Sequence, residues 1–328
     1  MSYYHLTLEL RSSLGTPLAA DTLWGHVAWG IRYAQGESAL LEWLDAHDSD
    51  KPPLVMSDPF PAGYWPRPKL PVPPRPETPP TRDQAQQHKS AQRVGWVPHP
   101  IWQATAGQLS ARILSASLAN APEPHASVTI PVMHAAINRW TGGTAHSSGG
   151  GLYSREQTWF NGPATFDLWC WSCEELSTVR QWLEQGLAGG YGSDASTGLG
   201  HIVVKDVQHQ PDWFNVPNAN AMMALGAFIP SPRDPVQGWF AGNVKSGRVG
   251  GDFAIGAFPN GNVLRQKRLV RRLLPGSILL GTPNSVPWIG RNVRGVHREL
   301  DSIRQYGLTL TLPARVVEDF VSDKEDVQ

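Results

Sequence analysis

The side chains in this sequence best able to carry chemistry are its histidines and one close pair of cysteines. A histidine beside a ribose can act as general acid or base on a 2′-hydroxyl, and His5, His26, His134 and His201 are all available. His26 falls where the pattern predicts the first helix. Yet the chain carries eleven histidines, and it has no H-E-x-x-H motif and no carboxylate cluster of the two-metal kind. No catalytic residue, metal or cofactor is therefore expected. Cys170-Trp171-Ser172-Cys173 is a C-x-x-C that follows an apolar strand, superficially a redox motif. Packing at a strand end accounts for it better, because Cys is a small and commonly buried hydrophobe. No second pair completes a four-thiolate zinc site.

Residues suited to holding a polyanion are more conspicuous. Five glycines fall within 189–200, among Gly190, Tyr191, Gly192, Ser193, Ser196, Thr197 and Gly198. Glycine admits positive φ and close backbone approach, and successive N–H groups in such a loop can cradle phosphate. No Gly-Lys-Ser/Thr follows, so this is not a P-loop. The loop precedes a strand instead of opening a helix, so it is not a dinucleotide fingerprint. An ordinary flexible loop is the plain alternative. Lys245-Ser246-Gly247-Arg248 with Gly250 and Gly251 sets two cations beside a tight turn, suited to backbone contact or to a solvated turn. Arg265, Lys267 and Arg268 lead into Arg271 and Arg272. On a strand, Arg265 and Lys267 would share one face.

The elements that must position these residues follow from periodicity. Tyr3–Leu10 alternates as a strand, and Asp21 is a suitable N-cap for a helix with Leu23, Val27 and Ile31 on one side. A second helix is predicted over Glu37–Ala46. Fourteen of the 29 prolines lie between Pro52 and Pro100, which predicts extended, partly polyproline-like chain with a polar middle over 77–90. Positions 108–116 read as a short helix or a strand. Ser127–Met133 reads as a strand, and Asn138–Glu156 as a Gly/Ser-rich hairpin excursion. Ala164–Cys173 is an apolar strand, 174–186 a helix and Ile202–Val207 a strand. This order suits an α+β fold with a ferredoxin-like (RRM-like) module over 1–207. A second, degenerate module is read over 208–328. Its strands fall at 222–229, 238–244, 263–271 and 278–281, followed by a helical piece at 296–304 and a closing strand at 306–316.

Composition bounds the class. The chain has 328 residues and a net charge of zero, so no global charge announces a nucleic-acid partner. Its distribution does: 253–298 contains no Asp or Glu, while the first fifty residues and the stretch 318–326 are mainly acidic. A neutral chain with one basic block can still bind a polyanion. The first residues alternate like a strand and show no signal-peptide pattern, and no stretch is long enough to span a membrane. A soluble protein of a reducing, cytoplasmic compartment is expected. The 14 tryptophans raise a lectin-like reading, but that would call for secretion and disulfides, which the sequence does not offer.

Four ordered stretches resemble the RAMP superfamily of CRISPR proteins, and among them the subunit that holds the guide 5′ end in type III-A (Csm) complexes. They are Asp21-Thr22-Leu23-Trp24-Gly25-His26 with 29–33, then His134-Ala135-Ala136-Ile137-Asn138-Arg139-Trp140-Thr141-Gly142 with 151–154, the Gly-rich loop through Gly200, and Lys245-Ser246-Gly247-Arg248 with Tyr306-Gly307-Leu308-Thr309-Leu310. The resemblance implies two ferredoxin-like domains and binding of the repeat-derived 5′ tag of the guide RNA (crRNA) in antiviral defence. It also implies contact with a large multidomain subunit on one side and a backbone RAMP subunit on the other. Arg139, the Gly-rich loop, Lys245, Arg248, Arg265, Lys267 and Arg268 are the RNA-binding candidates. The hairpin over 138–156 would be a thumb near target nucleic acid. The Pro-rich stretch departs from the family pattern. The competing reading within the same superfamily is an endoribonuclease that processes repeat RNA, with one of His5, His26, His134 or His201 as its acid–base group.

Overall fold

The computed structural model describes residues 2–71, 81–82, 85–86, 90, 93–139, 141–144, 151–210, 212–255, 265–283 and 285–317. Most of the polar middle of the Pro-rich stretch, the hairpin positions 145–150, the residues 256–264 and the acidic tail lie outside this set.

Alternation in β1 (Ser2–Leu10) turns Tyr4, Leu6, Leu8 and Leu10 to one buried side. Helices α1 (Ala20–Gln35) and α2 (Glu37–Ala46) follow. Next come β2 (Leu54–Met56), β3 (Phe60–Pro61), β4 (Tyr64–Pro66) and β5 (Trp96–Pro98). Then come α3 (His99–Thr105), α4 (Ala111–Leu118), β6 (Ser127–Ala136), β7 (Gly151–Phe160), β8 (Ala164–Ser172), α5 (Leu176–Leu187) and β9 (Ile202–Gln210). The first sheet is antiparallel in the order β2-β8-β1-β9, with β3 also paired to β8. Its register sets Leu6 against Leu168 and Leu8 against Phe166. The buried stripe of α1 (Leu23, Val27, Ile31) and that of α5 (Val179, Leu183, Leu187) join the same core. The two helices cross closely: a Cβ on Gly30 would lie 2.8 Å from the Gly186 nitrogen, and one on Gly186 would lie 2.8 Å from the His26 carbonyl.

The opposite face of this sheet is closed by aromatic rings. His5 stacks on Trp169 at 4.4 Å, Trp65 on His99 at 4.4 Å and Tyr3 on Trp213 at 4.9 Å, and Phe214 meets both Trp65 and Trp169 at 5.4 Å. The described parts of the Pro-rich stretch contribute short strands and a lid of rings (Trp65, Trp96, His99). Four of the 14 tryptophans, Trp65, Trp96, Trp169 and Trp213, are spent here as packing.

The second half contains β10 (Ala221–Ala224), β11 (Gly238–Trp239), β12 (Gly242–Lys245), β13 (Val270–Leu273), β14 (Ile278–Leu280), β15 (Trp288–Gly290) and β16 (Leu308–Ala314). Its sheet runs β11-β14-β10-β16-β15, and β12–β13 forms a separate ribbon. The halves share one core in which Leu54 and Met56 join Leu308, Leu310 and Leu312. The Asp58 N–H donates to the Leu225 carbonyl, and the Met56 N–H to the Tyr306 hydroxyl.

Several local expectations change. The strand expected over 222–229 ends at Ala224, and of the strand expected over 263–271 the described part becomes strand only from Val270, with an isolated bridge at Gln266. Asp21 is not the cap of α1: Ala19 holds that position, and Asp21 lies in the first turn. The segment 108–116, open between helix and strand, enters helix α4 from Ala111, capped by Ser110, whose hydroxyl accepts from the Ile113 N–H. The strand expected over 238–244 splits at Phe240, and its two parts join different sheets. No helix forms over 296–304. There the His297 ring accepts from the Glu299 and Leu300 N–H groups, bonds that compete with a helix. The hairpin is also longer than its Gly-rich tip. Its strands pair from Ser127 and Phe160 outward, and Asn138 closes the end by bonding Gly142 and Gly143.

Candidate nucleic-acid interface

The first turn of α1 is where the separate sequence features meet. Its N-cap has no side-chain bond of its own, so its end N–H groups need distant acceptors. The Tyr191 hydroxyl takes the Ala19 N–H at 2.9 Å, and the Asp58 carboxylate takes the Ala20 N–H at 2.7 Å. Asp21, its side chain 2% exposed, accepts from Lys245 at 2.6 Å, Arg272 at 2.9 Å and Gln305 at 3.1 Å. The Gly-rich loop and the Lys245 ribbon therefore converge on one helix end.

Thr22, Gly25, His26 and Trp29 are spaced i, i+3, i+4 and i+7, and so share one stripe of α1. The loop flanks this stripe at His26, whose Nε2 accepts the Gly192 N–H at 3.0 Å. The ribbon side flanks it at both ends. Lys245 reaches Thr22, and the Gly250–Gly251 turn lies against the Trp29 ring. Gly251 has φ +55°, and a Cβ there would lie 2.1 Å from that ring, so only glycine lets the turn sit down. Asp252 then ties to Arg32 at 3.0 Å and to the Tyr33 hydroxyl at 2.9 Å. Nothing stands within 4 Å of a Cβ position on Gly25, which leaves the middle of the stripe open.

Burial pulls the His26 imidazole below its usual value, with the Gly186 backbone bond opposing. Since Nε2 accepts, the N–H that meets the Gly186 carbonyl is on Nδ1. His26 therefore pins α5 and the loop to α1. The loop itself is largely self-satisfied. Tyr191 is buried, its N–H bonds Gly200 and its hydroxyl also donates to Pro17. The N–H groups of Gly190, Ser193, Thr197 and Gly198 bond within the protein as well. Ser193, Ser196, Thr197 and Gly198 remain exposed. Positive φ at Gly190, Gly192, Gly198 and Gly200 serves this tight packing: a Cβ on Gly200 would meet the Tyr191 carbonyl at 2.1 Å.

The basic candidates divide sharply. Lys245 is committed to Asp21. Lys267 turns inward, where its ammonium meets the Arg304 carbonyl at 3.1 Å and burial brings its pKa down to about 8. Arg265 and Lys267 thus do not share an exposed face. Arg248, Arg265 and Arg268 are exposed and make no ion pair with a described residue, and Arg271, read in the same basic block, joins them. Arg248 lies opposite Gln266 in a bridge, which draws the turn and the 265–268 strip together. Arg139 stands apart at the hairpin end, exposed; ten-residue strands put it roughly 30 Å from the root. Sequence reasoning also missed Arg155, which pairs with Asp194 and couples the hairpin to the loop. Spacing alone would have marked Thr22, Gly25 and Trp29 as one stripe with His26. Among the described residues no group of His, Cys, Asp or Glu could hold a metal, and both cysteines are free thiols, Cys170 buried and Cys173 exposed. No described helix is long and apolar enough to cross a membrane.

No family model matches the sequence, and no curated protein matches it significantly. Solved structures do. A chain of the Csm1–Csm4 cassette in complex with pppApA aligns with a TM-score of 0.57 and 16% identity, over 97% of this chain and 100% of that one. This chain shares the Csm4 fold. The cassette in complex with cA3 gives 0.57 and 15% over the same shares, and the Csm3–Csm4 subcomplex of the type III-A CRISPR-Cas interference complex gives 0.50 and 14%, over 95% and 99%. At 97% of this chain, the likeness extends over both halves.

Proposed function

We propose that the chain is a non-catalytic subunit of a type III CRISPR effector complex. In this reading it binds the repeat-derived 5′ tag of the guide RNA and joins the large subunit to the backbone subunits. The observation that carries it is the Csm4 fold over 97% of the chain, in structures where Csm4 is paired with Csm1 or with Csm3. Each half is read as a ferredoxin-like unit. The order β2-β8-β1-β9 with α1 and α5 as crossovers supports this for the first half, and the second is degenerate. The guide's tag is placed along the open stripe of α1, between the loop edge at Ser193–Gly198 and the arginines 248, 265 and 268. Exposed Arg and small hydroxyl side chains suit phosphate contacts that position a strand without reading its bases. The hairpin serves as the thumb near the target strand, its Met133 and Leu152 on one face and Ile130 and Tyr153 on the other exposed. Holding a fixed strand requires no turnover, and His26, with both ring nitrogens engaged, supports a positioning role.

The test is co-expression with the neighbouring CRISPR subunits, co-purification and sequencing of the bound RNA, which should begin with the repeat-derived tag. Arg248→Ala with Arg265→Ala should weaken tag binding and flatten the salt slope by roughly 1–1.5, because about 0.7 counterion is released per single-strand phosphate. Lys245 is not used here, since its loss would also break the Asp21 pair. Unchanged affinity and slope would remove this strip from the site. Purified protein and His26→Ala are each incubated with labelled repeat RNA, with and without divalent metal. Site-specific cleavage by the parent that vanishes in the variant would install the endoribonuclease reading instead.

A further inference from the structure

The β12–β13 ribbon is two-faced. Its register opposes Asn243 to Arg272, Val244 to Arg271 and Lys245 to Val270, and directly opposed residues share a face. One face carries Lys245 and Arg272 down to Asp21. The other carries Val244, 54% exposed, and Arg271, with Leu269, 71% exposed, one residue before the strand. Among the described residues of the second half, the four exposed large apolar side chains (Val236, Phe240, Val244 and Leu269) lie on this ribbon or its approaches.

We propose that the outer face of this ribbon, centred on Val244, Leu269 and Arg271, is a docking surface for an acidic, apolar-bearing face of a partner protein subunit. The proposal rests on the assembly reading above and assigns it a place on the chain. Charge complementarity sets the partner's sign. No Asp or Glu occurs from 253 to 298, the exposed cation on this face is Arg271, which the RNA reading does not use, and both lysines of the strip turn inward. Exposed arginine with lysine withdrawn is the composition of protein interfaces. The apolar members decide between a protein and RNA. Single-stranded RNA platforms stack bases on aromatic rings, whereas Val244 and Leu269 are aliphatic knobs that a phosphodiester backbone leaves in water. An isolated two-stranded ribbon is also marginally stable. Here the inner face is held by the Asp21 pairs and the far end by Leu273, which bonds Phe228 and packs on its cluster, so covering Val244 and Leu269 would complete the burial of the outer face.

The experiment uses the full chain co-expressed with the large subunit, the backbone subunit and a guide RNA. Leu269→Asp and Val244→Asp, both at exposed positions, are compared with the parent chain and with Arg248→Ala/Arg265→Ala. Thermal melts confirm that each variant folds. The expected result is at least a tenfold loss of one of the two protein subunits on co-purification, with tag RNA retained. Arg271→Glu should reproduce it, while the Arg248/Arg265 pair should lose RNA first. Loss of RNA with both subunits retained would make the face an RNA site and overturn the proposal. Retention of everything by both Asp variants would overturn it too, leaving the assembly reading intact. A parent chain that captures neither subunit would instead bring down the assembly reading, and this proposal with it.

Discussion

At the scale of single residues, the groups that looked chemical turn out to hold backbone in place. His26 connects the Gly186 carbonyl to the Gly192 N–H. His26→Ala should therefore cost about 1–3 kcal/mol, the penalty for leaving buried polar groups unpaired; a urea midpoint equal to the parent's would contradict this. Asp58 is buried between the start of α1 and the Ala227 N–H, and burial raises its carboxyl to about 6. Its unfolded value is the ordinary 3.8, so between pH 4 and 6 the folded state binds more protons than the unfolded. This group's contribution is thus fully present below pH 4 and is lost as pH rises through 6, by about 3 kcal/mol. Asp58→Asn should remove that falling component from a pH series of denaturation midpoints, and parallel curves for the two proteins would refute the assignment. The sequence could list His26 and the loop glycines but not their use. A partner 166 residues away leaves no local trace. Asp21 misled for the same reason: its type fits a cap, while its true partners lie on the second half.

At the scale of elements, periodicity carried the long, amphipathic pieces. The helix expected over Glu37–Ala46 has those ends, and the alternation of Tyr3–Leu10 is the centre of the first sheet. What periodicity could not show is how elements meet. The crossing of α1 and α5 depends on Gly30 and Gly186, which in a helical pattern read only as weak positions. Gly186→Ala makes a sharp test. Helix propensity alone predicts a gain of about 1 kcal/mol, whereas a Cβ 2.8 Å from the His26 carbonyl should cost about 1–3 kcal/mol through overpacking. The expected outcome is a lower midpoint in thermal or urea unfolding; a higher one would mean the helices are not in contact there. The helix expected over 296–304 failed because a capping imidazole competes locally with helical bonds, a choice that His297 makes and hydropathy does not register. The Gly-rich loop and the basic strip were legible as features, and their meeting at the first turn of α1 was not.

For the whole molecule, the segregation of charge has two uses where the sequence displayed one. The acidic first half and the basic second half are partly each other's counterions. Asp21 takes Lys245 and Arg272, while Asp45 and Asp48 take Arg294 and Arg304. These pairs differ in depth. Asp21→Ala strands two cations beside a buried site and should cost roughly 3 kcal/mol, whereas Arg294→Ala breaks an exposed pair and should cost under about 1 kcal/mol. Equal losses in chemical denaturation would show that the Asp21 cluster is no deeper than the surface pairs. The closed aromatic face of the first sheet has a further consequence, for synthesis. Two of its rings, Trp213 and Phe214, follow the last strand of that sheet, and β16, which packs on β2 in the shared core, lies a hundred residues later still. A nascent chain that has emerged only as far as Gln210 holds a complete set of strands over a half-built interior. Its aromatic face can close once Phe214 is out, but the interior side that takes β16 stays open until translation is nearly finished, so the first half expressed alone should be poorly soluble.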